Sequence, residues 1–192
     1  SGAWRHEYAN PFVTASTIQA LHFAKEAGIR VSAGRLKTGA KSLSDSRGDN
    51  GAFAYATGRS AGNVAPEASA GRSPLCELAL LLEGQSTPER LEQAIETSFK
   101  HHELLEAVRR YDDHSDRYGN GGFFFWYDLE GRAAAIEASP SPKKSAWQQQ
   151  LRDIVFQIRQ ADGGFLDSHE LGKSYGTAMG LHVLEAVTGP RP

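Results

Sequence analysis

Three short stretches of this chain close in the same way: Asn50-Gly51-Ala52-Phe53, Asn120-Gly121-Gly122-Phe123 and Asp162-Gly163-Gly164-Phe165. A polar residue, glycine and a following aromatic describe a sharp reversal. Glycine takes backbone conformations that other residues avoid, and it commonly follows a helix end. The aromatic then plugs the space between the joined elements. A turn that recurs is the mark of a repeat architecture. The turns start 70 and 42 residues apart, so the repeat is irregular and carries insertions in its loops.

The stretches before the turns predict helices with one apolar face. Trp147, Leu151, Ile154, Val155 and Ile158 fall at i, i+4, i+7, i+8 and i+11, a single stripe with a polar back. Leu91, Ile95, Phe99, His102 and Leu105 form a similar stripe, started by Pro88 with Thr87 as N-cap. Arg35 to Leu43 predicts a weaker helix because Gly39 lies inside it.

A second class of stretch is apolar or small around most of its circumference, as buried helices are. These are Val13 to Ala27, Pro74 to Leu82, Phe123 to Ala138 and Tyr175 to Val187. Buried and surface helices therefore alternate, about seven in all. Ser139-Pro140-Ser141-Pro142 breaks one helix from the next, and Gly58 to Gly71 is a polar loop. Period-2 alternation of β-branched residues is nearly absent, which argues against a sheet. The expectation is an all-α fold, a two-layer α/α solenoid or toroid in a single domain over residues 1–192.

Composition excludes several functions. The net charge is −2 and the basic residues are scattered, so no field favours nucleic acid or an anionic membrane. The longest apolar run, Leu78 to Leu82, is far too short to span a bilayer. Cys76 is the single cysteine, which rules out an internal disulfide and leaves the compartment open, cytoplasmic or exported. The chain opens Ser1-Gly2 without methionine, which reads as a mature or cut fragment with Ser1-Gly2 as a tag remnant.

The segment Gln160-Ala161-Asp162-Gly163-Gly164-Phe165, followed by Ser174-Tyr175-Gly176-Thr177-Ala178, resembles the repeat of the prenyltransferase and squalene-cyclase superfamily. Phe12-Val13-Thr14-Ala15 is similar to the same helix opening, and the other two turns are similar to its reversal. The resemblance covers the whole chain as about three repeats. The chain also resembles bacterial repeat proteins of that superfamily without an assigned reaction. It implies a partial α/α-toroid of the terpenoid-cyclase and protein-prenyltransferase type. A full ring has about five to six helix pairs, a closed counterpart of stacked helix-pair solenoids. The expectation is thus a fragment of a longer protein, completed by missing repeats or by self-association.

The catalytic features that the resemblance would bring are not found. Zinc prenyltransferases hold their metal through an Asp-x-Cys pair and a Tyr-His-Thr histidine. Here Pro74 stands two residues before Cys76, and the second motif reads Tyr175-Gly176-Thr177. Zinc needs three or four ligands, so no metal and no cofactor are expected. Neither the Asp-x-Asp-Asp acid of the cyclases nor a Gly-Cys-Gly-Glu-Gln thioester occurs. Asp112-Asp113-His114-Ser115-Asp116 fits an Asp-Asp-x-x-Asp magnesium motif, but it reads better as a solvated acidic turn. Arg47-Gly48-Asp49 belongs to the first turn, and His101-His102 point apart on a helix.

Two aromatic clusters remain as candidate ligand-binding positions. Trp4, Arg5 and His6 precede the first inner helix. Trp126, Asp128 and Arg132 lie on the third, the last two spaced i, i+4 as an ion pair or polar anchor, and Tyr175 opens the fourth. The expected function is a non-catalytic module that binds a ligand or partner. The alternative is an enzyme on the same scaffold, a terpenoid transferase or cyclase or a polysaccharide lyase or hydrolase. In that case Asp128 would act as acid or base, with Arg132 or His6 on an anion. Fold analogy alone supports the alternative.

Overall fold

A computed structural model describes residues 2–56, 64–109, 124–168 and 171–189. The turn at Asn120 to Phe123, the Asp112 to Asp116 motif and part of the Gly58 to Gly71 loop lie outside the described residues. Within the described residues the chain has eight α-helices and no strand. They are α1 Pro11–Glu26, α2 Ala33–Ser44, α3 Ser73–Leu82, α4 Pro88–Lys100, α5 His102–Val108, α6 Phe125–Ala138, α7 Lys144–Gln157 and α8 Gly172–Thr188. Among the described residues a short 3-10 helix, Pro66–Ser69, and two isolated bridges, Arg5 to Ala9 and Arg47 to Phe53, lie between the α-helices and before the first.

Local chemistry sets the helix starts. Asn10 Oδ1 accepts from the Val13 N–H at 2.9 Å, and Pro11 follows at the first helical position. Thr87 and Pro88 do the same for α4. The stripe expected from Leu91 through Leu105 is divided, because His101 leaves helical geometry at φ −108°, ψ 17°. The restart as α5 still brings Leu105 and Val108 into the interior.

The packing order separates two ranks. Helix α1 packs on α3, α3 on α6 and α6 on α8. Each intervening helix bridges such a pair: α2 contacts α1 and α3, α4 contacts α3 and α6, and α7 contacts α6 and α8. The inner helices approach closely where side chains are small. A Cβ on Gly131 of α6 would lie 2.9 Å from Leu75 Cβ of α3. One cluster of core residues gathers Trp126, Leu129, Leu151 and Val183, and a second gathers Ile18, Leu36, Leu43 and Leu80.

The two described turns have the same backbone wiring. In the first, Gly48 N–H donates to Ala52 O (2.8 Å) and Gly51 N–H to Gly48 O (3.0 Å). In the other, Gln160 N–H donates to Gly164 O (2.8 Å) and Gly163 N–H to Gln160 O (2.9 Å). Asn50 Oδ1 accepts from Ala52 N–H at 3.0 Å, and Asp162 Oδ1 accepts from Gly164 N–H at 3.1 Å. Gly51 and Gly163 have φ of 80° and 89°, where a Cβ is strained. Phe53 and Phe165 are both buried.

Gly2-Ala3-Trp4 shares part of this pattern. Gly2 has φ 84°, and Trp4 takes the aromatic position. Its N–H donates to Thr14 Oγ1 at 3.1 Å, as Phe165 N–H donates to Thr177 Oγ1 at 3.0 Å. Gly2 also packs on α2, where a Cβ would lie 2.5 Å from Thr38 O. Trp4 covers Gly39, its indole occupying the place of a Cβ there. The glycine that weakens α2 in sequence thus makes room for a ring.

Candidate functional site

The inner helices α1, α6 and α8 begin around one cavity of about 600 Å³. Phe12 comes from the first turn of α1, Phe124 and Tyr127 from the start of α6, and Tyr175 from the first turn of α8. Tyr8 and Tyr55 complete the aromatic wall, Tyr55 standing two residues after the first turn's phenylalanine. His6 and Glu7 reach it from the segment before α1, and Leu171 from the N-cap of α8. Six of the side chains facing this space are therefore aromatic, the usual makeup of a small-molecule site with few polar groups.

The rings hold one another. Phe12 lies 5.0 Å from Phe124 and 5.7 Å from Tyr55, centroid to centroid. The Tyr127 hydroxyl bonds to Ser16 Oγ and donates to Phe12 O at 3.3 Å, tying α6 to α1. Burial pushes its phenol pKa well above the ordinary value. Tyr55 is pushed up to about 12 by burial and by the neighbouring Tyr8 hydroxyl. Tyr175 is likewise raised to about 12 by burial and the nearby Asp167 charge. These three phenols are neutral at physiological pH.

Behind the wall lies a buried polar cluster. The Arg72 guanidinium sits 5.5 Å from the Tyr55 ring centroid and donates to Phe53 O through Nε (3.2 Å) and Nη2 (3.0 Å). One arginine thus joins the first turn to the cavity wall. The Asp128 carboxyl occupies the space a side chain at Gly71 would need, beside the N-terminal end of α3. Burial raises its pKa to about 7, against the pull of Arg72 and Arg132.

Arg132 is fully buried, and Nε, Nη1 and Nη2 all lack a hydrogen-bond partner. Its guanidinium stacks 4.8 Å from the Phe99 ring centroid. Asp128 and Arg132 thus feel each other's charge without forming a hydrogen-bonded ion pair. Burial lowers the Arg132 pKa to about 10, partly offset by Asp128. His102 turns inward beside them and away from the surface. Its ring lies 6.0 Å from Phe125, its Nδ1 is buried without a partner, and burial with the Arg132 and Arg109 charges lowers its pKa to about 3.

Of the residues singled out in the sequence, His6 and Tyr175 face the cavity. Trp4 covers Gly39, and Arg5 is exposed in the bridge to Ala9. Trp126 is buried in the core, where Nε1 donates to Leu166 O at 3.2 Å and the ring meets Phe165 edge-on at 5.4 Å. Asp128 and Arg132 lie behind the wall. Helical phase explains the division of the aromatic run at the start of α6. Phe124 and Tyr127, three apart, turn to the cavity, while Phe125 and Trp126 turn to the core. Cys76 is a buried core thiol. Among the described residues no group of acidic, histidine or cysteine side chains is arranged to hold a metal ion, and no helix is long and apolar enough to cross a membrane.

No protein-family model, curated protein or solved structure shows a significant match to this chain.

Proposed function

We propose that this chain is a non-catalytic, ligand-binding repeat module of the prenyltransferase-like α/α-toroid kind, with the aromatic cavity as its ligand site. The single observation carrying this reading is the cavity itself: about 600 Å³, walled by six rings, at the shared starting end of the inner helices. The repeated turn wiring and the alternation of inner and bridging helices support the toroid-like arrangement. Binding is favoured over a terpenoid or polysaccharide reaction by the placement of Asp128. The carboxyl that such chemistry would draw on lies against Gly71, behind the cavity wall.

Self-association is part of the same reading. The most exposed large apolar side chains include Phe23 (63%) on α1 and Leu181 (59%) on α8, the two ends of the inner row. Apolar faces at the ends of a helical array need a cap or a partner.

The ligand site is tested by titration with 1-anilinonaphthalene-8-sulfonate. The expected result is saturable emission at one probe per chain, lost in Leu171→Trp and Val13→Trp, which fill the space. Equal emission in both folded variants would remove the cavity as the site.

A further inference from the structure

Building on the reading of the cavity as a ligand site, we infer that it takes an organic cation, a quaternary or tertiary ammonium group carried on an apolar body. The rings are set as walls and not as a stack. Phe12 meets Phe124 at 60° and Tyr127 at 75°, Phe124 meets Tyr127 at 62°, and Tyr8 meets Tyr55 at 44°. Rings inclined in this way offer π surface from several directions around one space. The face of an aromatic ring is the negative end of its quadrupole, which attracts a cation within about 6 Å of the centroid.

The polar groups favour the same ligand. The Tyr127 hydroxyl is engaged within the protein, with Ser16 Oγ and Phe12 O. A sugar would need donors and acceptors from this wall, whereas a quaternary ammonium needs none. Glu7 is the one carboxylate among the described lining residues, and no lysine or arginine stands with it. It lines the cavity together with Tyr8 and Tyr55. The Arg72 cation is engaged inside the wall by Phe53 O and faces the Asp128 charge.

The opposing influence is the positive end of the helices. The N-terminal ends of α6 and α8 open here without side-chain caps, and such ends favour anions. On α1, Asn10 occupies the Val13 donor and Pro11 removes another. An anionic probe therefore belongs in the test.

The experiment is ligand-observed NMR titration of the whole chain with three probes of one shape or size. These are benzyltrimethylammonium, its neutral carbon isostere neopentylbenzene, and phenylacetate. The expected result is a cation affinity about tenfold above the isostere, in line with a desolvated cation–π contact. Glu7→Gln should weaken the cation roughly threefold or more and leave the isostere unchanged. Tyr8→Leu, at an exposed position, should weaken the cation more than the isostere.

Equal affinity for cation and isostere overturns the inference and leaves the apolar cavity standing. Tighter binding of phenylacetate overturns it in favour of the helix ends. Failure of all three probes overturns it as well. If anilinonaphthalene sulfonate still binds and Leu171→Trp still blocks it, the ligand-site reading survives; if that probe also fails, both fall.

Discussion

Phe165 is held to the first turns of α8 by one hydroxyl: its N–H donates to Thr177 Oγ1 at 3.0 Å, and Thr177 Oγ1 donates back to Phe165 O at 3.3 Å. At the chain's start the Trp4 N–H likewise donates to Thr14 Oγ1 at 3.1 Å, while the Thr14 hydroxyl gives its own proton to Asn10 O at 2.8 Å. In both places a threonine hydroxyl on the inner helix thus accepts from the N–H of the aromatic.

Replacing that hydroxyl with a methyl group should therefore cost stability at both clasps. Thr14→Val and Thr177→Val each leave an N–H without its acceptor, a loss of about 1–2 kcal/mol. Thr14 is fully buried, whereas Thr177 is only partly so, so Thr14→Val should be the costlier change. Urea unfolding of the two variants measures this as lowered midpoints at constant slope. Unchanged midpoints would show that water replaces the clasp.

Two glycines of α2 should respond to alanine with opposite signs. Alanine is the better helix former by about 1 kcal/mol. At Gly34 its Cβ meets only Ser32 Oγ at 3.9 Å, so Gly34→Ala should stabilise modestly. At Gly39 the Cβ collides with the Trp4 indole, whose Cη2 would lie 3.0 Å away and whose Cζ3 lies closer still. Gly39→Ala should destabilise by about 1–3 kcal/mol through overpacking, despite the propensity gain. Thermal unfolding of the pair decides it, and a stabilising Gly39→Ala would remove Trp4 from α2.

Asp128 and His102 should give the protein opposing pH dependences. The folded-state pKa of Asp128 is raised to about 7, above the ordinary ~3.9. The folded state then binds the extra proton, and stability falls as pH rises from about 4 through 7. His102 is lowered to about 3 from ~6.5, so the unfolded state binds the extra proton and stability falls as pH drops below about 6.5. Asp128→Asn should therefore gain on the parent protein by at least ~1 kcal/mol between pH 5 and pH 8. His102→Leu should gain on it between pH 7 and pH 4. Urea unfolding across this range reads both, and parallel curves for parent and variant would place either group in water.

Much of the helical framework is legible in the sequence because its causes are local. The i, i+4 stripe from Trp147, Pro88 after Thr87, and the Ser139 to Pro142 break each act within a few residues and mark elements that the structure retains. The break at His101 is not legible, since the apolar stripe runs straight through it. Gly2-Ala3-Trp4 escapes because Ser1-Gly2 at the start of a chain looks like a tag remnant. Only the hydroxyl clasp to Thr14 reveals its kinship with the later turns.

The site was less legible, because a cavity is assembled from residues far apart in the chain. Tyr8, Tyr55, Tyr127 and Tyr175 meet there from four different segments. Adjacent aromatics such as Trp126 and Tyr127 part company through helical phase alone. A search of the aromatic run for i, i+3 pairs would have found Phe124 with Tyr127. Nothing local marks Tyr55, whose position depends on Arg72 gripping Phe53 O.

Arg132 gives the sharpest prediction about the interior. A guanidinium wholly out of water with no hydrogen-bond partner has lost its hydration without replacement, and its stacking on Phe99 restores only part of that loss. Methionine keeps the unbranched stem and adapts to the irregular space. Arg132→Met should therefore be neutral or stabilising, by up to about 1–3 kcal/mol, as apolar replacements of buried charge often are. The same substitution removes a positive neighbour from both titrating groups. The Asp128 pKa should move further up and that of His102 back toward its ordinary value, moderating the acid-side loss of stability. Chemical unfolding at pH 5 and pH 7 tests both effects together. A strongly destabilised Arg132→Met would mean that the guanidinium has a bonding partner after all, and that the partner, left without its counter-charge, carries the cost.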